Sequence, residues 1–143
     1  VPGYLLDTTV IIDQVRGYAG GPEIVQRLFS ETADLYTCAV IFAEALSGGD
    51  EEERRIIGRL LDALEYITID PEGASWAGQR RRELRRAGRC APLADALIAA
   101  TAWRMGAMIV TRNGADFEAF GVSVLGYGTA AVARVGTKRG STP

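Results

Sequence analysis

The chain has 143 residues, 48% hydrophobic and 24% charged, with 16 Lys and Arg against 18 Asp and Glu. That is enough for one hydrophobic core, and the charge is too balanced to advertise a nucleic-acid binder from its total. The sequence has no run of 18 or more apolar residues, so no membrane span is expected, and with no histidine at all it excludes Ser–His–Asp triads, Cys–His nucleophiles and paired-histidine ribonuclease chemistry.

Along the chain, short β-rich runs alternate with helical ones. Tyr4-Leu5-Leu6 reads as a strand, followed by a helix over Thr9 to Val15. Gly20-Gly21-Pro22 breaks the chain, and Pro22 suits the first turn of a second helix, where Ile24, Leu28 and Phe29 share a face. Leu35 to Cys38 is a second strand, and a helix runs from about Val40 to Leu46 until Ser47-Gly48-Gly49 stops it. Asp50 has the character of an N-cap, with Glu51 to Glu53 placed where the helix dipole favours anions. Ile56, Ile57, Leu60, Leu61 and Leu64 form the apolar stripe of that helix. Tyr66 to Ile69 alternates and is β-branched, so it predicts a third strand. Pro71 opens a helix ending near Gly88, and Leu93 to Gly106 is a helix rich in small residues. Met108 to Thr111 and Val122 to Leu125 predict the last strands, with a short helix over Asp116 to Phe120 between them. From Gly128 the composition shifts to Gly, Ala, Thr, Lys and Arg, so 1–127 is read as the domain and 128–143 as a tail that is mobile or loosely docked. The opening VPGYLLDTTV lacks the pattern of a secretory leader, so a cytoplasmic location is expected. Cys38 and Cys90 are expected to be free, buried thiols, too few for a four-ligand zinc site.

Strands alternating with helices argue for an α/β fold with a parallel sheet covered on both faces. Ligands bind such sheets at the carboxyl ends of the strands. Asp7 directly follows the first strand, and its competing role is a helix N-cap. Glu44 lies inside the apolar run AVIFAEAL, where an unpaired charge is unexpected. Asp95 stands in the first turn of LADALIAATA, and Asp116 follows the strand MIVT and a short loop. Each acid alone is readable as a cap or a solvated charge. Brought together, they would raise one another's pKa values and destabilise the fold unless a divalent cation supplied positive charge. Oxygen donors of this kind suit Mg²⁺ or Mn²⁺.

The segments LLDTTVIID, AVIFAEALSG, PLADALIAATA and VTRNGADFEAF resemble PIN-domain nucleases, in particular VapC-type toxins, in order and separation from Leu5 to about Tyr127. The resemblance implies a three-layer α/β/α domain with a parallel sheet of four to five strands in the order 3-2-1-4-5. It implies that Asp7, Glu44, Asp95 and Asp116 form an acidic quartet holding one or two Mg²⁺ or Mn²⁺ ions, with Asp7 and Asp95 the firmest ligands. Thr8, Thr111 and Asn113 would orient the acids and water. Where relatives often carry Ser or Thr and then Leu, this chain has Ala39 and Ala45, departures that remove no carboxylate. An endoribonuclease toxin is implied, with an RNA substrate, a cognate antitoxin, a homodimer and an assembly of higher order with the antitoxin.

An acidic site must still attract an anion. The run Arg80-Arg81-Arg82-Glu83-Leu84-Arg85-Arg86, with Arg89 nearby, supplies candidate phosphate contacts in Arg81 and Arg85. Arg112 and the tail residues Arg134, Lys138 and Arg139 could add to them, although such runs are commonly solvated helix faces. Val25, Leu28, Phe29, Ile56 and Leu60 are candidates for partner contacts, or else core. The alternative function is a non-catalytic PIN-like RNA- or protein-binding module with the acids as caps. A haloacid-dehalogenase-type phosphatase would need a second Asp where Thr9 stands, and a receiver domain would need a lysine where Arg112 follows the fourth strand.

Overall fold

Apolar runs too short for helices become the strands of one parallel sheet, and the longer amphipathic runs cover it. The computed structural model describes residues 3–31 and 34–128. The elements in chain order are β1 (Tyr4–Leu6), α1 (Thr8–Arg16), α2 (Gly21–Glu31), β2 (Leu35–Cys38), α3 (Ala39–Ala45), α4 (Glu51–Asp62) and β3 (Glu65–Ile67), then α5 (Pro71–Arg86), α6 (Leu93–Met105), β4 (Met108–Thr111), α7 (Gly114–Glu118) and β5 (Val124–Gly126). The sheet order is β3-β2-β1-β4-β5 and every pairing is parallel. This is the three-layer architecture and strand order expected.

Local chemistry explains the helix starts. Asp50 caps α4 by accepting the Glu53 N–H at 2.8 Å, and Asp70 caps α5 by accepting that of Gly73 at 2.8 Å, with Pro71 just inside. Helices α1, α2 and α4 pack together, as do α5 and α6. The buried alanines of α6, Ala96, Ala99, Ala100 and Ala102, leave room for that approach. Trp76 of α5 stacks on Trp103 of α6 with centroids 5.2 Å apart. The core runs through the central strands, where Leu5, Leu6, Ile109 and Val110 have no exposed surface. Such continuous burial is what a strand with helices on both faces requires.

The structure corrects several expectations. Strand β3 begins at Glu65 and ends at Ile67 because β2, its pairing partner, ends at Cys38, which pairs with Ile67. β5 lies two residues later than expected at its start, paired with Ile109 to Thr111. Phe29 is 44% exposed and Ile56 40% exposed, whereas Val25, Leu28, Ile57 and Leu61 are core. The buried stripes of α2 and α4 are thus narrower than the apolar stripes in their sequence. Cys90 is exposed and only Cys38 is buried. No helix among the described residues is long and apolar enough to cross a membrane. The expected tail lies outside the described residues apart from Gly128, and Arg134, Lys138 and Arg139 lie outside them with it.

Candidate active site

Strand β1 is central, and its carboxyl end delivers Asp7 to the edge where the chain turns into α1. Asp7 occupies the N-cap position of α1, yet its side chain makes no capping hydrogen bond. Its carboxylate instead accepts from two hydroxyls, Thr111 Oγ1 at 2.9 Å and Thr9 Oγ1 at 3.1 Å, both on Oδ2. The cap reading of Asp7 therefore gives way to a clamped carboxylate whose Oδ1 lies outside the clamp. Asp7 is 5% exposed. Burial pushes its pKa up, the Thr111 hydroxyl, the Thr8 amide and the Thr9 hydroxyl oppose that, and the charge of Glu44 adds to it.

Thr111 ends β4, the neighbour of β1. Its hydroxyl also accepts the Asn113 N–H at 3.0 Å, so Asn113 takes part through its backbone. Thr8 donates to Glu44 Oε1 at 2.7 Å, which holds that acid against the start of α1. Glu44 itself is exposed, so the argument that brought it forward, burial among apolar residues, is wrong even though its position is relevant. On the winding of α3, the side chain leaves the apolar face and reaches Thr8.

Asp95 stands in the first turn of α6 and Asp116 in the first turn of α7. Neither carboxylate accepts a hydrogen bond from a described residue, and Asp95 is partly buried. Its pKa is pushed up to about 6, first by burial and then by the charges of Asp116, Asp7 and Glu44. The fold thus brings Asp116, Asp7 and Glu44 within Coulombic reach of Asp95, and Glu44 within that of Asp7. As placed, no three acids among the described residues close on a point that would by itself enclose an ion.

The donors fit a hard divalent cation nonetheless. All are oxygens, burial first and neighbouring negative charge second push up the pKa values of Asp7 and Asp95, and no described arginine appears among the charges acting on Asp95. Mg²⁺ needs no closed protein cage, because it keeps several waters and commonly takes one or two carboxylates plus substrate phosphate. Asp7 and Asp95 would hold such an ion, with Glu44 and Asp116 able to bind it or its waters.

Two residues escaped the sequence reading. Thr9 bridges Asp7 and Thr111, lying 3.3 Å from the latter's hydroxyl. Asp13 is 3% exposed inside α1. It accepts from Arg112 Nε at 2.8 Å and Nη2 at 3.3 Å, and from the Tyr127 hydroxyl at 2.7 Å. An acid within TTVIIDQV carried the same signal that singled out Glu44, and here that signal held. Arg112, expected at the substrate, has its guanidinium occupied by Asp13, and it also lies 5.3 Å over the Tyr18 ring. Its backbone N–H donates to Thr9 at 3.3 Å, linking this network to Asp7.

Of the other expected substrate contacts, Arg81 donates to the Ala91 carbonyl at 2.9 Å, tying α5 to the loop before α6, while Arg85 has no partner among the described residues. Arg81, Arg82, Arg85 and Arg86 line one open depression on α5. A separate cavity of about 390 Å³ is lined by Arg89, Cys90, Pro92, Asp95 and Asp116, among others.

The PIN domain family model matches residues 4–122. Ribonuclease VapC11 of Mycobacterium tuberculosis is 33% identical over 119 residues, 80% of this chain and 88% of that protein. The tRNA(fMet)-specific endonuclease VapC of Salmonella typhimurium is 26% identical over 121 residues, 80% of this chain and 89% of that protein. Among solved structures, DNA-bound VapBC from Salmonella typhimurium shares the fold at a TM-score of 0.76 and 23% identity, covering 88% of this chain and 98% of that one.

Proposed function

The chain belongs to the PIN-domain family, among the VapC-type ribonucleases, and from that premise we propose that it hydrolyses RNA phosphodiester bonds at Asp7, Glu44, Asp95 and Asp116 with one or two Mg²⁺ or Mn²⁺ ions. The observation that carries this reading is the gathering of the acids at one edge: Asp7 is clamped by Thr111 and Thr9, Glu44 is held by Thr8, Asp95 and Asp116 line one cavity, and the charges of the other three reach Asp95. A divalent ion, when bound, supplies positive charge beside the scissile phosphate and a water acidified toward neutral pH. Asp7, clamped by Thr111 and Thr9, presents Oδ1 in a fixed direction. Asp116 or Glu44 orients the attacking water. Attack by water leaves 5′-phosphate and 3′-hydroxyl ends and does not use the 2′-hydroxyl, so the preference for RNA rests on the family and not on the acids.

The unpartnered arginines of α5, with Arg85 foremost, draw the anionic strand toward this edge. In the cell the chain acts as the toxin of a toxin–antitoxin pair, forms a homodimer and pairs with an antitoxin that lays an apolar segment on it. Phe29 of α2 and Ile56 of α4, both exposed beside α1, suit that contact.

The test is cleavage of a 5′-labelled RNA oligonucleotide in Mn²⁺, with and without EDTA, by wild-type protein and by Asp7→Asn and Asp95→Asn. We expect cleavage by the wild type alone, abolished by chelator. Full activity of either variant, or in EDTA, would defeat the reading.

A further inference from the structure

Most arginines in the described residues are committed. Arg16, Arg27, Arg54, Arg55, Arg80, Arg104 and Arg112 each meet an acid, and Arg81 meets a backbone carbonyl. Arg59 of α4 has no partner among the described residues, and neither do Arg82, Arg85, Arg86 and Arg89 at the far end of α5 and just beyond it. Of these, Arg89 alone shares a cavity with Asp95 and Asp116.

The backbone that carries Arg89 is held at both ends. Helix α5 closes with Gly88 in the left-handed region at φ +74°, the Gly88 N–H donating to Arg85 O at 3.0 Å and the Arg89 N–H to Leu84 O at 2.9 Å. This is the paired closure that terminates a helix and fixes the direction of the next residue. Two residues on, Arg81 Nε grips the Ala91 carbonyl at 2.9 Å, and Ala91 is buried. Arg89 therefore projects from a short, fixed loop, which limits the entropy lost when it binds. Arg89 faces the same cavity as the two acids without being spent on either of them, and it is absent from the charges acting on Asp95. Its guanidinium offers a planar fork of donors matched to phosphate oxygens.

We propose that Arg89 forms a phosphate subsite in the Asp95–Asp116 cavity, gripping a backbone phosphodiester of the RNA strand next to the one that is cut. The inference rests on the nuclease reading above and adds to it the residue that places the strand over the acids. The acids repel the scissile phosphate until a cation is present, and at the neighbouring phosphate Arg89 supplies the positive charge that offsets this repulsion. Arg89 is thus a positioning residue whose loss weakens binding and raises KM while leaving the fold intact, since the side chain is exposed and has no partner to strand.

Cys90 provides a local reporter. It lines the same cavity and is exposed, while Cys38 is buried, so iodoacetamide reads the cavity wall. The experiment uses the full chain in EDTA, a single-stranded RNA oligonucleotide as probe, and two readouts: affinity as a function of salt, and the rate of Cys90 alkylation. RNA should slow alkylation of the wild type. Arg89→Ala should lower affinity roughly tenfold, as loss of a hydrogen bond to a charged group does. It should also reduce the slope of log affinity against log salt by about 0.7, the value for one single-strand phosphate contact, and abolish the protection of Cys90. Arg89→Lys should keep the slope, and Arg59→Ala should leave the slope and the protection unchanged. If Arg89→Ala matches the wild type in slope and protection while the wild type cleaves RNA in Mn²⁺, the subsite is wrong and the nuclease reading stands. If the wild type neither cleaves nor protects, both fall. Inorganic phosphate is the second probe, and protection by it equal to that by RNA at the same phosphate concentration would overturn the strand assignment in favour of a free-anion site.

Discussion

At the scale of single residues, the site depends on how Asp7 is held. Two hydroxyls on one carboxylate oxygen fix the plane of the group and leave its other oxygen to the site. Thr111→Val keeps the shape and removes one donor, so we expect a fall of about 10–100-fold in cleavage rate or metal affinity, the usual effect of losing a group that orients a ligand. Steady-state cleavage in Mn²⁺ and an unchanged circular dichroism spectrum check it. Asp13 makes a different kind of contribution. Arg112→Met would leave a carboxylate 3% exposed with only the Tyr127 hydroxyl beside it. Removing one partner of such a pair costs about 3 kcal/mol, measurable as a lower urea midpoint; a change under about 0.5 kcal/mol would mean that water already compensates the pair. The places of Asp7, Asp95 and Asp116 at strand ends and helix starts were legible from pattern, whereas their grouping as one set came from the resemblance. Glu44 was named for burial it does not have. Thr9 was passed over because a hydroxyl becomes informative only once its partners across the sheet are known.

At the scale of elements, the helices were the most legible part, since Asp50, Asp70 and Pro71 announce their starts chemically. The strands were blurred at the edges. A three-residue edge strand is defined by its neighbour's length, which no local pattern carries, and this is why β3 and β5 shifted. The same limit hid the contact between α1 and α2. A Cβ added at Gly21 would lie 2.6 Å from the Asp13 carbonyl carbon and 2.7 Å from the Gln14 nitrogen, both backbone atoms that cannot swing aside. Gly21→Ala should therefore push α2 off α1 and destabilise the fold by about 1–3 kcal/mol, the range for overpacking, read by thermal denaturation. A neutral result would show that α2 slides freely along α1, contrary to the close approach described.

At the scale of the whole molecule, the strand order does the assembling. Placing β1 between β2 and β4 brings the ends of three chain segments to one edge, and α6 adds Asp95 from outside the sheet. That convergence has a consequence for stability. The Asp95 pKa, raised to about 6, lies above its unfolded value, so the folded protein binds the proton more tightly. Its contribution to stability is fully present below about pH 4 and is lost as pH rises through 6. A divalent cation reverses this by favouring the charged form. Mn²⁺ should accordingly raise the Tm clearly at pH 7.5 and little at pH 4.5, by differential scanning calorimetry with matched EDTA controls. Equal shifts at the two pH values would argue that the ion binds elsewhere. Strand order was legible only through resemblance to known sequences, because nothing local states which strands are neighbours.

The proposed chemistry requires Asp7 and Asp95 to act together in holding a divalent cation. Electron paramagnetic resonance of free Mn²⁺, titrated with wild-type protein, Asp7→Asn and Asp95→Asn at pH 7.5, tests it most directly. We expect saturable binding of one or two ions by the wild type and at least a tenfold loss of affinity in each variant. Binding of equal strength in all three proteins would contradict that requirement.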